Sequence, residues 1–168
     1  MKEAVGGTWI FTIVITLIMF FTAFVSLSTN YTRTYKIKDE IISIIASKKG
    51  VNKDSIAAVN KELVNLGYNS TNNCPTDGGT WYGFSRNKSD GLGSRSNANY
   101  CIKRNVVISK CGDRTSGAIG HPPSNYYTVV VFFKIDLPII GDVFNIIVQG
   151  ETSTINMPSD GLLPDYCS

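Results

Sequence analysis

The chain has a single histidine, His121, among its 168 residues, and it contains no C-x-x-C pair and no Gly-Lys-Ser/Thr phosphate loop. The sequence shows no Ser-His-Asp or Cys-His unit around this histidine, whose position before two prolines favours a surface loop residue, and a zinc site would need an unusual set of ligands. No Asp-x-Asp-x-Asp-Gly calcium loop occurs either. The sequence therefore predicts no catalytic, cofactor or metal site, and we do not expect an enzyme.

Charge, proline and glycine are all missing from the twenty residues Thr8–Leu27, TWIFTIVITLIMFFTAFVSL. A helix of that length covers about 30 Å, which is the thickness of the hydrocarbon core of a bilayer. Only a helix satisfies the backbone polar groups of one such segment in lipid. The sequence predicts a transmembrane helix over 8–27, preceded by a leader at 1–7. The alternative is a cleaved signal peptide, whose apolar region is usually about 7–15 residues long.

A concentrated basic patch is also lacking. The formal net charge is +3, and the charged residues are spread along the chain without a Lys/Arg stripe interleaved with aromatics. This pattern argues against a nucleic-acid partner. About 140 residues follow the apolar segment, which is enough for one domain with its own core.

The cysteines are few and even in number: Cys74, Cys101, Cys111 and Cys167. An even number behind a membrane anchor predicts two disulfides in an oxidising compartment, although four thiols in a cytoplasmic domain are the alternative. Three connectivities are open. We prefer Cys74–Cys101 and Cys111–Cys167, because each pair closes a loop-rich segment without core residues of its own.

The charges that flank the anchor conflict with the cysteines. Lys2 precedes the apolar segment, whereas Arg33, Lys36 and Lys38 follow it, so the positive-inside rule alone would place the domain in the cytoplasm. That rule applies to short loops rather than to domains of this length. We therefore follow the cysteines and expect a single-pass protein with its C-terminal domain extracytoplasmic, at the cell surface.

The anchor is expected to continue as an amphipathic helix over 28–50, because neither glycine nor proline occurs between Thr8 and Lys49. Four isoleucines then recur at i, i+4, i+7 and i+8, which places them on one helix face. They are Ile37, Ile41, Ile44 and Ile45. Two lysines followed by Gly50 form a stop signal. The sequence predicts one unbroken helix whose second half lies against the domain.

The remaining residues, 51–168, alternate loops with strands after one short helix, for which Asp54 is the predicted N-cap and Gly67 the stop. Strands are predicted at 81–84 and 100–110. A hairpin is predicted from 126–136 and 143–148, with 152–155 extending its last strand. The fold class is therefore α+β, with a long N-terminal helix packed on a C-terminal antiparallel sheet. Four aspartates in glycine-containing loops are expected to form turns. They are Asp77, Asp90, Asp113 and Asp160.

Three threonines share one face of the anchor, since Thr8, Thr12 and Thr16 are four residues apart. In lipid, small hydroxylated residues on one face favour close contact between helices. The alternative is that each hydroxyl bonds the carbonyl four residues earlier in its own helix.

This plan resembles the type IV pilin superfamily. The resemblance rests on a short leader with glycine, an apolar helix that continues as an amphipathic one, an antiparallel sheet, and a cysteine near the C-terminus. The segments GGTWIFTIVITLIMFFTAF and DLPIIGDVFNIIVQGET are similar to accessory pilin-like proteins of tight-adherence (Tad) pili in Gram-positive bacteria. The resemblance implies leader cleavage at Gly7 and other pilin-like subunits or assembly proteins as partners.

The chain departs from the pilin pattern at one position. Pilins usually carry glutamate at the fifth mature residue, whereas here cleavage after Gly7 would place Thr12 there. This departure favours a minor or accessory subunit, or an uncleaved relative, over a major pilin. We expect a structural subunit of a surface pilus or secretion apparatus. The alternative is a membrane-tethered binding or adhesion module that uses the loops at 69–99 and 112–125.

Overall fold

The computed structural model describes residues 2–86, 93–108, 122–137 and 141–164. Two helices are followed by five strands, which confirms the α+β class. The elements are α1 (Lys2–Ser47), α2 (Lys53–Asn65), β1 (Trp81–Phe84), β2 (Tyr100–Ile108), β3 (Ser124–Leu137), β4 (Gly141–Glu151) and β5 (Ile155–Asn156).

Helix α1 is continuous from Lys2 to Ser47, which confirms the prediction of an unbroken helix between Leu27 and Ile37. Its 46 residues span about 70 Å. The residues before the apolar segment belong to the same helix, so Gly7 lies inside α1. The helix ends where predicted, because Lys49 and Gly50 have positive φ angles of 56° and 130°.

Helix α2 is capped two residues earlier than predicted. Its N-cap is Asn52 rather than Asp54: the Asn52 side chain accepts from the backbone N–H of Ser55 at 2.8 Å, and the Ser55 hydroxyl accepts from the N–H of Asn52 at 2.9 Å. Asp54 lies in the first turn, where a carboxylate complements the helix dipole. Gly67, with φ of 65°, ends the helix as predicted.

The strands form one antiparallel sheet in the order β1-β2-β3-β4, and the predicted β3–β4 hairpin is present. The expected extension of the last strand over 152–155 is present only in part: the pairing with β3 stops after Glu151 and resumes at Ile155–Asn156 as β5, on the same edge of β3 as β4. At the interruption, the Thr152 hydroxyl accepts the N–H of Tyr127 at 3.0 Å, in place of a backbone carbonyl.

The core lies between α1, α2 and one face of the sheet. Three isoleucines of α1 are buried as predicted, and Ile44 is half-buried at the rim. The three pack with the inward-facing residues of β3 in the cluster Ile37, Ile41, Ile45, Tyr127, Val129 and Val131. The opposite face of the sheet carries a smaller cluster, Cys74, Trp81, Ala98, Cys101, Val130 and Phe132. The second half of α1 is thereby fixed to the domain.

Candidate functional site

The first half of α1 packs on nothing within the described chain. The helix contains one candidate membrane-spanning segment, starting at Thr8, and its most apolar 18-residue window has a mean hydropathy of 2.6 with no residue buried. Large side chains are exposed along it, including Phe20 at 74% and Trp9 at 69%. A surface of this kind requires either lipid or other helices around it.

A groove of about 580 Å³ runs along this exposed segment between two rows of side chains spaced four residues apart. We call it the anchor groove. One row is formed by Thr8, Thr12, Thr16 and Phe20, and the other by Trp9, Ile13 and Leu17. The threonines make their row low, so the groove is shallow on one side and walled by large apolar side chains on the other.

The threonine hydroxyls bond within their own helix. Thr12 donates to the Thr8 carbonyl at 2.9 Å, and Thr16 donates to the Thr12 carbonyl at 2.8 Å. The structure therefore shows the alternative in which each hydroxyl bonds the carbonyl four residues earlier in its own helix, and the hydroxyl hydrogens of Thr12 and Thr16 already have partners. The threonine row can favour contact with a neighbouring helix because its side chains are small, and their hydroxyl oxygens can still accept hydrogen bonds.

The anchor groove and the domain lie on the same side of α1 by helical periodicity. Thr12 and Ile41 are 29 positions apart, which is about eight turns, and this places them within about 20° around the helix axis. Ile41 is buried against the sheet. The threonine row of the first half thus lies on the same side of α1 as the buried isoleucines of the second half.

Aromatic side chains stand at both ends of the apolar segment. Trp9 and Tyr31 are 22 residues apart, which corresponds to about 33 Å along the helix. The ring of Tyr31 lies 4.5 Å from that of Tyr35, and its hydroxyl donates to the Tyr35 hydroxyl at 2.8 Å. Sequence reasoning missed this pair of aromatic ends, although the spacing is visible in the sequence.

The predicted disulfide between Cys74 and Cys101 is confirmed. Both cysteines are buried in the smaller cluster, and Cys101 belongs to β2. The bond, together with the backbone pair between Asn72 and Ala98, ties the segment after α2 to the sheet. Cys111 and Cys167 lie outside the described residues, so their pairing remains a prediction.

Asp160 is not a simple turn residue, which corrects the expectation from sequence. Its carboxylate accepts from the backbone N–H of Val51 and from the Asn125 amide, both at 3.1 Å, and also from the Tyr127 hydroxyl. The Arg104 guanidinium lies 3.6 Å away, and both charged side chains are less than a tenth exposed. Burial, followed by the hydrogen bond to Asp160, raises the pKa of the Tyr127 hydroxyl. The cluster joins the end of α1, two strands and the C-terminal segment.

The other aspartates remain outside such a cluster or outside the described residues. Asp77 is exposed in a loop, where its carbonyl accepts from the Trp81 indole at 2.9 Å, whereas Asp90 and Asp113 are not described. His121 is also outside the described residues. Among the residues that are described, no group of three or more His, Cys, Asp or Glu side chains could hold a metal ion.

In comparison with known proteins, no protein-family model, no curated protein and no solved structure matches the chain.

Proposed function

We propose that this protein is a single-pass membrane protein that acts as a pilin-like structural subunit, minor or accessory, of a surface pilus or secretion apparatus. The observation that carries the proposal is the unbroken course of α1 from an exposed apolar half into a half buried against the sheet. A protein that is only tethered to the membrane does not need a rigid connection between its anchor and its domain. A rigid joint transmits the position of the anchor to the domain.

The membrane position of the first half is supported by its aromatic ends. Trp and Tyr are enriched at both interfaces of a bilayer. Trp9 and Tyr31 are separated by about 33 Å along the helix, close to the thickness of the hydrocarbon core of about 30 Å. The apolar segment between them therefore matches one bilayer.

The extracytoplasmic placement of the domain is supported by the disulfide between Cys74 and Cys101. Disulfides persist in oxidising compartments and are rare in the cytosol. The basic residues after the anchor favour the opposite orientation, but they precede a domain of more than a hundred residues, to which the rule for short loops does not apply.

Assembly through the anchor is supported by the anchor groove. Rows spaced four residues apart are the ridges that interdigitate when two helices pack, with a crossing angle of about −50°. A low row next to a high one lets a neighbouring backbone approach closely, and van der Waals contact drives such packing in membranes. In this proposal the neighbour is the anchor helix of another pilin-like subunit.

Two triple variants test the proposal. Replacing Thr8, Thr12 and Thr16 with leucine fills the low row, whereas replacing them with valine keeps its size and removes only the hydroxyls. Because the hydroxyl donors of Thr12 and Thr16 already bond within the helix, we expect the valine variant to assemble like the parent and the leucine variant to lose assembly. Filament number or crosslinked oligomer is measured, with surface exposure of the domain as the control for insertion. Equal assembly by all three proteins would contradict the proposal.

The alternative is a membrane-tethered binding module, and one observation favours it. The segment between α2 and β2 is held at its base by the disulfide and by two backbone hydrogen bonds between Asn72 and Ala98, both 2.9 Å. The described part of this segment is thereby held in a fixed position on the sheet. This function predicts ligand binding by a monomer, without any effect of the leucine variant.

A further inference from the structure

A polar cavity lies where α1 leaves the apolar segment, on the side that faces the domain. Its volume is about 110 Å³, enough for several water molecules or for one small group with several oxygen atoms. Helix α1 lines it with Asn30, Arg33 and Thr34, the loop after α2 with Asn69 and Ser70, and β3 with Lys134. We call it the junction cavity.

The junction cavity lies at the depth of lipid headgroups if the apolar segment spans the bilayer. Asn30 and Arg33 follow Leu27 by three and six residues, which is about 5 and 9 Å along the helix. The headgroup region extends about 5–8 Å beyond the hydrocarbon core on each side. A long arginine side chain can reach back into that region while its stem covers apolar surface.

Two cations, Arg33 and Lys134, line the cavity, and none of the described carboxylates lines it. Arg33 donates to the Leu66 carbonyl at 3.0 Å, and Arg86 donates to the Tyr68 carbonyl at 2.9 Å, so two guanidinium groups flank the turn between these residues. Each of these two contacts uses one of the five N–H donors of an arginine. The third cation is Lys134.

None of these cations takes part in an ion pair within the described part of the chain. The two ion pairs found there join Lys38 to Asp39 and Arg104 to Asp160. Arg33 and Lys134 line one cavity and carry like charges, so an anion bound between these two would offset their repulsion and accept further hydrogen bonds from them.

We propose that the junction cavity binds a phosphate group and that its source is the headgroup of an anionic phospholipid. Phosphate suits this site because arginine matches its oxygens with paired N–H donors, and the amide and hydroxyl groups of Asn30, Asn69 and Ser70 supply further donors. The lipid is the nearest source, since the membrane carries its phosphates at this depth. The bound headgroup would fix the depth and rotation of α1.

The inference rests on the membrane-spanning part of the proposed function and not on filament assembly. The test uses the full chain in mild detergent, with native mass spectrometry to measure retention of phosphatidylglycerol against phosphatidylcholine of the same acyl chains. The double variant Arg33→Gln/Lys134→Gln is compared with Lys48→Gln/Lys53→Gln, which removes the same charge from exposed positions at the far end of the domain. Single Lys134→Gln keeps the contact between Arg33 and Leu66.

We expect the parent and the far-end variant to prefer phosphatidylglycerol, and the cavity double variant to bind it about tenfold more weakly, with Lys134→Gln in between. Equal loss in the cavity and far-end variants would overturn the proposal. Inorganic phosphate forms the second arm: tight binding of phosphate without preference between the lipids would assign the site to a soluble anion and overturn the lipid source. A separate flotation experiment with vesicles tests the membrane-spanning helix: if the parent does not float with the vesicles, the proposal that α1 spans a membrane is contradicted.

Discussion

The carboxylate of Asp160 accepts a hydrogen bond of 3.1 Å from the backbone N–H of Val51, a residue 109 positions earlier in the chain. Val51 follows the end of α1. At the preceding residue, Gly50, a side chain would not fit, because its Cβ would lie 2.8 Å from an Asp160 oxygen. The C-terminal segment therefore closes the domain against the end of its longest helix. Arg104 of β2 and Tyr127 of β3 meet the same carboxylate.

Asp160→Asn is expected to lower the free energy of unfolding by about 3 kcal/mol, because it removes the negative charge of a buried ion pair and puts an amide nitrogen where the carboxylate accepts hydrogen bonds from Val51 and Asn125. Urea unfolding of the full chain in detergent, followed by tryptophan fluorescence, measures the change. Asp77→Asn is the matched control, since Asp77 is exposed, and it should stay within about 0.5 kcal/mol of the parent. Equal effects of the two substitutions would show that Asp160 is an ordinary loop residue.

Replacing Cys74 and Cys101 together with alanine is expected to cost about 3.5 kcal/mol of unfolding free energy. The bond joins residues 27 positions apart, and the figure is the entropy of closing a loop of that length in the unfolded chain. The same unfolding experiment applies, and reduction of the parent should cost at least as much, because it would also break the predicted bond between Cys111 and Cys167. If the double variant unfolds at the urea concentration of the parent, the disulfide does not hold the loop on the sheet.

Alkaline pH should destabilise the domain through three buried tyrosines. Burial raises the pKa of Tyr68, Tyr100 and Tyr127, and the hydrogen bond to Asp160 adds to the effect at Tyr127. A raised pKa of an acid means that the folded state holds the proton more tightly. The stabilisation is complete below the unfolded pKa of about 10 and is lost as pH rises beyond it.

The slope should approach about 1.4 kcal/mol per pH unit for each tyrosine as pH rises towards 11, or about 4 kcal/mol per pH unit for the three together. Urea unfolding at a series of pH values from 9 to 11 measures it, and Tyr100→Phe should reduce the slope by about a third. A stability that does not change across this range would mean that the hydroxyls ionise freely in the folded protein.

Local signals predicted the helices well, because their causes lie within a few residues. The continuity of α1 follows from the absence of glycine and proline, and its end at Gly50 follows from the need for a positive φ angle. The buried face of Ile37, Ile41 and Ile45 follows from their spacing. The N-cap of α2 was placed two residues late, since Asn52 and Asp54 both suit that position and the reciprocal bond with Ser55 decides between them.

Contacts between distant segments could not be predicted in the same way. Nothing near Asp160 in the sequence indicates that it meets Val51, Arg104 and Tyr127, because the sheet and the course of the C-terminal segment bring these residues together. Tyr68 is a second example. Its hydroxyl accepts from the N–H of Phe132 at 2.9 Å and donates to the carbonyl of the same residue at 2.7 Å. Phe132 lies just beyond the first residue of β2, so the Tyr68 hydroxyl replaces the hydrogen bonds that a longer β2 would make there.

The junction cavity was missed for the same reason. Arg33 was counted only for membrane orientation, and the two segments that complete the cavity, at Asn69 and at Lys134, are 36 and 101 positions away from it. The aromatic ends of the anchor, by contrast, could have been found from the spacing of Trp9 and Tyr31 alone.

Site-specific photo-crosslinking in the native membrane tests the central proposal most directly. A photoreactive side chain is placed at Thr12 in the anchor groove or at Val14, which lies about 160° away around the same helix. Both positions are exposed along the isolated chain. A pilin-like subunit that assembles through its anchor should give, from Thr12 and several-fold less from Val14, an adduct with the anchor of another subunit, identified by mass spectrometry. Equal yields from both positions, or no adduct from either, would contradict assembly through the anchor groove.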